Sequence, residues 1–408
     1  MIRNISSLKP FIAIVAFLIT VLGVQQSPCF AFDLSCKGAV LINGRTGQVL
    51  YDTECEAKLY PASTTKILTA MIVLNKARLD EVVTVGEGVE GIDGTSIWLV
   101  EGEQLTVEEL LYAMLLNSAN DAALVLAQHV GGSEQGFAQM MNSTAQKCGA
   151  VNSNFVNPHG LPDEDHYTTA YDLSMIAKEA MKNPKFRKIV ATSTKNISRK
   201  DPEAQRELYN RNRLLNGYEG SNGIKTGYTN AAGQCLVASA KRDGRELIAV
   251  VLGDEGNGVW SDAQKLLDYG FDNFKPMQVI QNGSLITPDV PVINGASDAS
   301  AIALQSLSID VPKGSNPDIR RELLLKEVEA PVKKGQQLGV VVVANGQREV
   351  GRIDLIAAHE VGGESAAGPW LWFAGAVLLA VVALREYSRR RRIERFIQRQ
   401  RFLRRHYQ

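Results

Sequence analysis

The segment Lys66-Ile67-Leu68-Thr69-Ala70-Met71-Ile72-Val73-Leu74 sets one cation on an otherwise apolar run, directly behind Tyr60-Pro61-Ala62-Ser63-Thr64-Thr65. Pro61 and the Ser/Thr cluster read as a helix start, and the run behind them as an apolar helix. Ser63 falls in the first turn with Lys66 three residues later on the same face, near enough to exchange a proton. A hydroxyl becomes a competent nucleophile when a base removes its proton, and a lysine amine serves if burial or a neighbouring cation lowers its pKa. The helix N-terminus adds N–H donors where an oxyanion would form. Ser-x-x-Lys alone occurs about once by chance in a chain of this length, so alone it favours a capped helix with one surface lysine.

The chain has 408 residues, 45% hydrophobic and 22% charged, enough for two domains and additional segments. Formal net charge is zero, but ten arginines fall in 385–408 against Glu386 and Glu394. The remainder is acidic, which argues against a nucleic-acid-binding core. Residues 1–31 read as a signal peptide: Arg3 and Lys9, an apolar Phe11–Val24, and Cys29-Phe30-Ala31 as the cleavage site, with Phe32 the first mature residue. At the other end, 369–384 is uncharged and apolar, with Trp370 and Trp372 at its start and Arg385 and Arg389–Arg392 behind it. This predicts a transmembrane helix in the cytoplasmic membrane, a basic cytoplasmic tail at 385–408 facing anionic headgroups, and an exported body.

Between these ends the pattern is mixed. Ala39–Ile42 and Gln48–Tyr51 flank a turn at Asn43–Gly47 and predict a hairpin. Cys36 and Cys55 are equidistant from its centre, so an oxidising compartment would allow a disulfide there. Cys148 and Cys235 read as buried thiols, and no Cys/His spacing suggests a metal site. Val107–Val130 is helical in pattern but broken by Leu116-Asn117-Ser118-Ala119-Asn120-Asp121, which predicts two helices with Ser118 and Asn120 on the loop between them. Helices are predicted at Gln135–Lys147, Ala170–Met181 and Ser261–Asn273. Strands are predicted at Gln234–Ala240 and Leu247–Gly253, with Lys225-Thr226-Gly227 on or beside a strand paired to them. His159, in Asn157-Pro158-His159-Gly160-Leu161, reads as structural rather than as a base. From Lys275 helical periodicity fades. Asn294–Ser300 and Asp310–Gly314 read as turns, and Gly339–Ala344 and Val350–Ile356 as strands. The predicted domains are thus 32–275, catalytic; 276–360, β-rich; and 361–368, a linker.

Three patches stand in one order: Ser63-x-x-Lys66, Ser118-x-Asn120 and Lys225-Thr226-Gly227, a trio shared by penicillin-binding proteins and class A β-lactamases. With Ala119, Asp121-Ala122-Ala123, Asn157–Leu161, Tyr228-Thr229 and Ala232-Gly233, the sequence closely resembles the low-molecular-weight penicillin-binding proteins that act as D-alanyl-D-alanine carboxypeptidases. The resemblance implies an α/β (α+β) transpeptidase-like domain, an antiparallel sheet flanked by helices, followed by a small all-β domain and the membrane helix. It implies peptidoglycan stem peptides ending in D-Ala-D-Ala as substrate, β-lactams as acylating mimics, and no cofactor or metal. Carried onto matching positions, Ser63 is the nucleophile, Lys66 its base and Ser118 the proton relay. Asn120 holds Lys66 and the substrate amide, while Lys225, Thr226 and Arg211 take the carboxylate. Gly227 lets the substrate approach, and the N–H groups of Ser63 and Tyr228 form the oxyanion hole. One departure bears on carboxylate recognition: Asp254–Asp262 holds no basic residue, where some relatives carry an arginine.

Three other readings compete. A β-lactamase needs an efficient deacylating base, for which no acidic motif stands out. A D,D-endopeptidase would use the same site. A silent peptidoglycan-binding scaffold would be expected to lack part of the trio, which is complete here.

Overall fold

The computed structural model describes residues 33–363 and 367–406. The signal-peptide reading of 1–31 lies outside them. The described chain forms two compact units, the first comprising 33–41, 51–241 and 248–269, the second 42–50, 242–247 and the chain from Gly270 on.

The first unit is organised on a five-stranded sheet. Its strands are β1 (Gly38–Asn43), β2 (Val49–Thr53), β3 (Ser221–Thr229), β4 (Gly233–Arg242) and β5 (Arg245–Asp254), in the order β2-β1-β5-β4-β3. Strands β3 and β4 pair antiparallel, with Lys225 opposite Val237 and Gly227 opposite Cys235. Leu247–Leu252 are all fully buried. Such an unbroken apolar run suits a strand covered on both faces, so helices have to flank it. The predicted apolar helix is α1 (Lys66–Lys76), buried from Lys66 through Leu74. It packs against α3 (Asn120–Gly131), α4 (Glu134–Lys147) and α5 (Ala170–Ala180), which follow α2 (Val107–Tyr112). Local signals set the helix starts. Thr106 and Glu109 close a reciprocal capping box on α2, Ser133 caps α4 through Gly136 N–H, and Thr169 caps α5 through Asp172 N–H. Helix α6 (Pro184–Val190) and most of helix α7 (Val259–Asn273) also belong to the unit.

One buried ion pair ties its loops. Arg199 makes two hydrogen bonds to the Glu103 carboxylate and donates to the carbonyls of Ile97 and Trp98. Its side chain is 2% exposed and that of Glu103 7%. Arg199→Met strands a buried carboxylate, so it should cost about 3–5 kcal/mol in urea unfolding. A loss below about 1 kcal/mol would show that the pair is not needed.

The second unit is all-β after Asn273, apart from its last helix. Its five-stranded sheet runs Leu285–Val290, Ala299–Ala303, Arg348–Ala357, Gln337–Asn345, Ile319–Leu325. Val290, Ala301, Leu307, Ile309, Val341, Val343, Ile353 and Leu355 fill its core. The turn expected at Asp310–Gly314 is in part a strand, Leu307–Pro312, paired with Phe274–Ile280. Asp310 is fully buried there, and Asn43 Nδ2 and Arg245 Nη1 donate to its carboxylate at 2.6 and 3.2 Å. Satisfied partners let aspartate occupy a strand that its turn preference disfavours. Ser300 likewise starts within a strand rather than ending a turn.

The predicted transmembrane helix at 369–384 is corrected. Among the described residues no helix is long and apolar enough to cross a membrane. Residues 367–406 form one helix, α8 (Ala367–His406), that continues from the apolar run straight into the arginines. That run of 16 residues falls short of the roughly 20 a span requires. Cys36, Cys55, Cys148 and Cys235 are thiols in the structure.

Candidate active site

Ser63 lies in a 3-10 turn, Ala62–Thr65, that runs directly into α1. Ala62 takes φ +48°, an uncommon conformation for a residue with a Cβ. The turn is held from two sides. Thr65 Oγ1 lies 2.9 Å from His166 Nε2, and His166 Nδ1 accepts from Val156 N–H at 3.2 Å, so Nε2 carries the proton and donates. Gly160, at φ +86°, packs so close that a Cβ would sit 1.8 Å from the Ala62 carbonyl oxygen. A Cβ at Gly227 on β3 would sit 2.9 Å from Ser63 N. Both glycines are therefore steric requirements of bringing the turn and the strand together.

Lys66 is fully buried, and its Nζ donates to Ser63 Oγ at 2.9 Å, Asn120 Oδ1 at 2.7 Å and the His159 carbonyl at 2.7 Å. Burial, then the Lys225 charge, holds its pKa well below that of an ordinary lysine; Asp121 opposes the shift and Arg211 adds to it. Three acceptors match the three protons of an ammonium. Of these, only Ser63 Oγ can also donate, so the lone pair of the neutral amine faces the serine hydroxyl. Lys225 is 1% exposed and donates to Ser118 Oγ at 2.9 Å and to the Thr226 carbonyl at 2.8 Å. Burial, then the Arg211 charge, lowers its pKa to about 7.

The break predicted between two helices is present, tighter than a loop. A π-helical turn, Ala113–Asn117, leads to Ser118 at φ +67°, and α3 begins at Asn120. The strain is held by contacts remote in sequence: Tyr209 N–H donates to Asn117 Oδ1, and Arg211 N–H to the Leu116 carbonyl. Asn120 is fixed by Nδ2 to the Asp93 carbonyl at 2.6 Å and N–H to the Thr95 carbonyl at 2.7 Å. Arg211 is exposed, its Nη1 3.4 Å from Thr95 Oγ1. Tyr228 is 58% exposed and Thr226 half-buried.

The fold thus gathers Ser63, Lys66 and Asn120 into one hydrogen-bonded group and Lys225 and Ser118 into a second, close enough for the Lys225 charge to act on Lys66, with Gly227 against Ser63 and Arg211 at the edge. Sequence reasoning missed several supports. The His159 carbonyl is an acceptor for Lys66, a role open to any residue type and so without a signal. The His159 ring faces Glu134, with Nε2 3.3 Å from Oε1. Asp121, 1% exposed, accepts from the N–H groups of Ile97, Leu99 and Ala122 and orders the segment over Asn120. Among the described residues no group of His, Cys, Asp and Glu could hold a metal ion.

Comparison with known proteins points to one family. The D-alanyl-D-alanine carboxypeptidase family matches residues 23–256, and the penicillin-binding protein 5 C-terminal domain matches 274–362. DacF of Bacillus subtilis, a D-alanyl-D-alanine carboxypeptidase, is 35% identical over 319 residues, covering 75% of this chain and 81% of that protein. DacA of Haemophilus influenzae, of the same description, is 30% identical across 90% of this chain and 96% of its own length. The crystal structure of penicillin-binding protein 5 from Haemophilus influenzae superposes with a TM-score of 0.68 at 29% identity, covering 81% of this chain and 99% of that one. A mutant of the Streptomyces K15 DD-transpeptidase superposes on 59% of this chain and all of its own, with TM-score 0.57 and 33% identity. Fold and site define a serine peptidase of the penicillin-binding class. Within that class the chain belongs to the D-alanyl-D-alanine carboxypeptidase family.

Proposed function

We propose that this chain removes the terminal D-alanine from peptidoglycan stem pentapeptides through an acyl-enzyme on Ser63, outside the cytoplasmic membrane where that substrate lies. The observation that carries the reading is the buried Lys66, whose neutral lone pair has Ser63 Oγ as its one proton donor. Ser63 Oγ attacks the carbonyl of the penultimate D-alanine while its proton passes to Lys66. The N–H groups of Ser63 and Tyr228 take the oxyanion. As the C–N bond breaks, the leaving amine collects a proton through Ser118, which Lys225 Nζ holds. Asn120 keeps Lys66 in place and takes the substrate amide. Lys225, Thr226 and Arg211 receive the carboxylate, which restricts cleavage to the chain end. Water then attacks the ester, giving its proton to Lys66 while Ser63 regains one. A β-lactam enters the same way, but its leaving nitrogen stays tethered and the ester persists.

Intact mass after brief exposure to benzylpenicillin, with D-alanine release from a D-Ala-D-Ala peptide, tests the reading. One penicilloyl adduct together with free D-alanine is expected. An adduct without D-alanine would exclude the carboxypeptidase. The acylation rate should rise with pH as Lys66 loses its proton and level off well below pH 10.5. A rise continuing through pH 10.5 would mean that Lys66 is not the base.

A further inference from the structure

In the first unit, a groove of about 430 Å³ is lined by Lys37, Lys58, Tyr60, Glu164, Tyr167 and Ala231, among others. Tyr60 is three residues before Ser63, and Ala231 lies in the turn that follows β3. The groove therefore opens where the nucleophile segment meets the end of the strand carrying Lys225, Thr226 and Gly227. In the mechanism above, the substrate carboxylate sits at Lys225 and Thr226 and the scissile carbonyl at Tyr228 N–H. That order fixes a direction along β3: the residues on the acyl side of the scissile bond continue past Tyr228 toward Thr229 and the turn. An extended peptide advances about 3.3 Å per residue. The residues upstream of D-Ala-D-Ala therefore run toward the groove.

Its chemistry favours an anion. Lys58 Nζ stands 4.4 Å from the centroid of the Tyr167 ring and 3.4 Å from its hydroxyl. Among the described residues its partner is thus a neutral ring rather than a carboxylate. Lys37 is paired with Glu255 at 3.3 Å, both largely exposed, a contact weak enough to be exchanged. Of the lining residues, Lys37 and Lys58 are cationic and Glu164 is acidic, and Lys58 is the cation whose contacts, a ring and its hydroxyl, include no carboxylate. We propose that this groove is a subsite for a free carboxylate borne by the stem peptide upstream of D-Ala-D-Ala, with Lys58 as the charge that receives it. The proposal rests on the function proposed above and adds to it a preference about the rest of the substrate.

The test compares two peptides, γ-D-glutamyl-L-lysyl-D-alanyl-D-alanine with its glutamyl α-carboxyl free or amidated, by D-alanine release from the purified full-length protein. The free acid should have the higher kcat/KM by about fivefold, the upper range for a solvent-exposed ion pair, and chiefly through KM. Lys58→Met should bring the ratio to about one, and Lys58→Glu should invert it. Because each ratio is taken within one variant, partial loss of folded protein does not distort it. Equal rates for both peptides with the wild-type protein would overturn the subsite. A preference that survives in Lys58→Met would remove Lys58 from it. No D-alanine from either peptide would overturn the hydrolase reading, and the subsite with it.

Discussion

Ser63→Ala should abolish the penicilloyl adduct and D-alanine release together, with kcat/KM lower by up to about 10⁶-fold, the scale set by losing a serine nucleophile. The reason is chemical rather than structural: among the described residues no other hydroxyl bonds Lys66 Nζ, whose other two hydrogen bonds go to the Asn120 amide oxygen and the His159 carbonyl. Those two hydrogen bonds persist in the variant, as does the 3-10 turn, which is held by Gly160 and the Thr65–His166 contact. Stability should therefore change by no more than about 1 kcal/mol, the worth of one hydrogen bond. Labelling of the variant by a fluorescent penicillin at the wild-type rate would move the nucleophile elsewhere.

The second large effect has the opposite character: Lys225→Met should inactivate the enzyme toward carboxylate-bearing substrates and stabilise its fold. Lys225 titrates at about 7 in the folded chain against 10.5 when unfolded. Between those values the unfolded chain binds a proton that the folded chain does not, so stability rises with pH across that window. The penalty is absent above pH 10.5, grows as pH falls, and is complete below about pH 7, where it approaches 5 kcal/mol. Methionine removes it and loses the bonds to Ser118 Oγ and the Thr226 carbonyl, each worth about 1 kcal/mol. A net gain of about 2–3 kcal/mol at pH 6, shrinking toward pH 10, is expected from urea unfolding. A difference that does not vary with pH would mean that burial of this lysine carries no such penalty. Active sites commonly hold such groups at the expense of stability.

Much of the framework was legible because it depends on local chemistry. The Pro61–Thr65 start, the apolar run to Leu74, and the strands around the Lys241–Arg245 turn are short-range patterns that the fold keeps. The interruption at Leu116–Asp121 was legible as an interruption. Its form was not: a π turn followed by a left-handed Ser118 is held by Tyr209 and Arg211, some ninety residues away. Asp310 reads as a turn residue for the same reason, since the partners that hold it in a strand, Asn43 and Arg245, are distant in sequence. The apolar run at 369–384 reads as a membrane span, yet it continues into the arginines as one helix that is not long and apolar enough to cross a membrane.

By itself the sequence determined which groups are available and in what order: a serine, two lysines, a second serine and an asparagine at spacings that one family shares. Tertiary structure decided what those groups are. Lys66 and Lys225 have the same side chain as every exposed lysine in the chain; burial lowers both pKa values, helped at Lys66 by the Lys225 and Arg211 charges and at Lys225 by the Arg211 charge. Desolvation and Coulomb interaction depend on three-dimensional distance, which residue spacing does not encode beyond a helix turn.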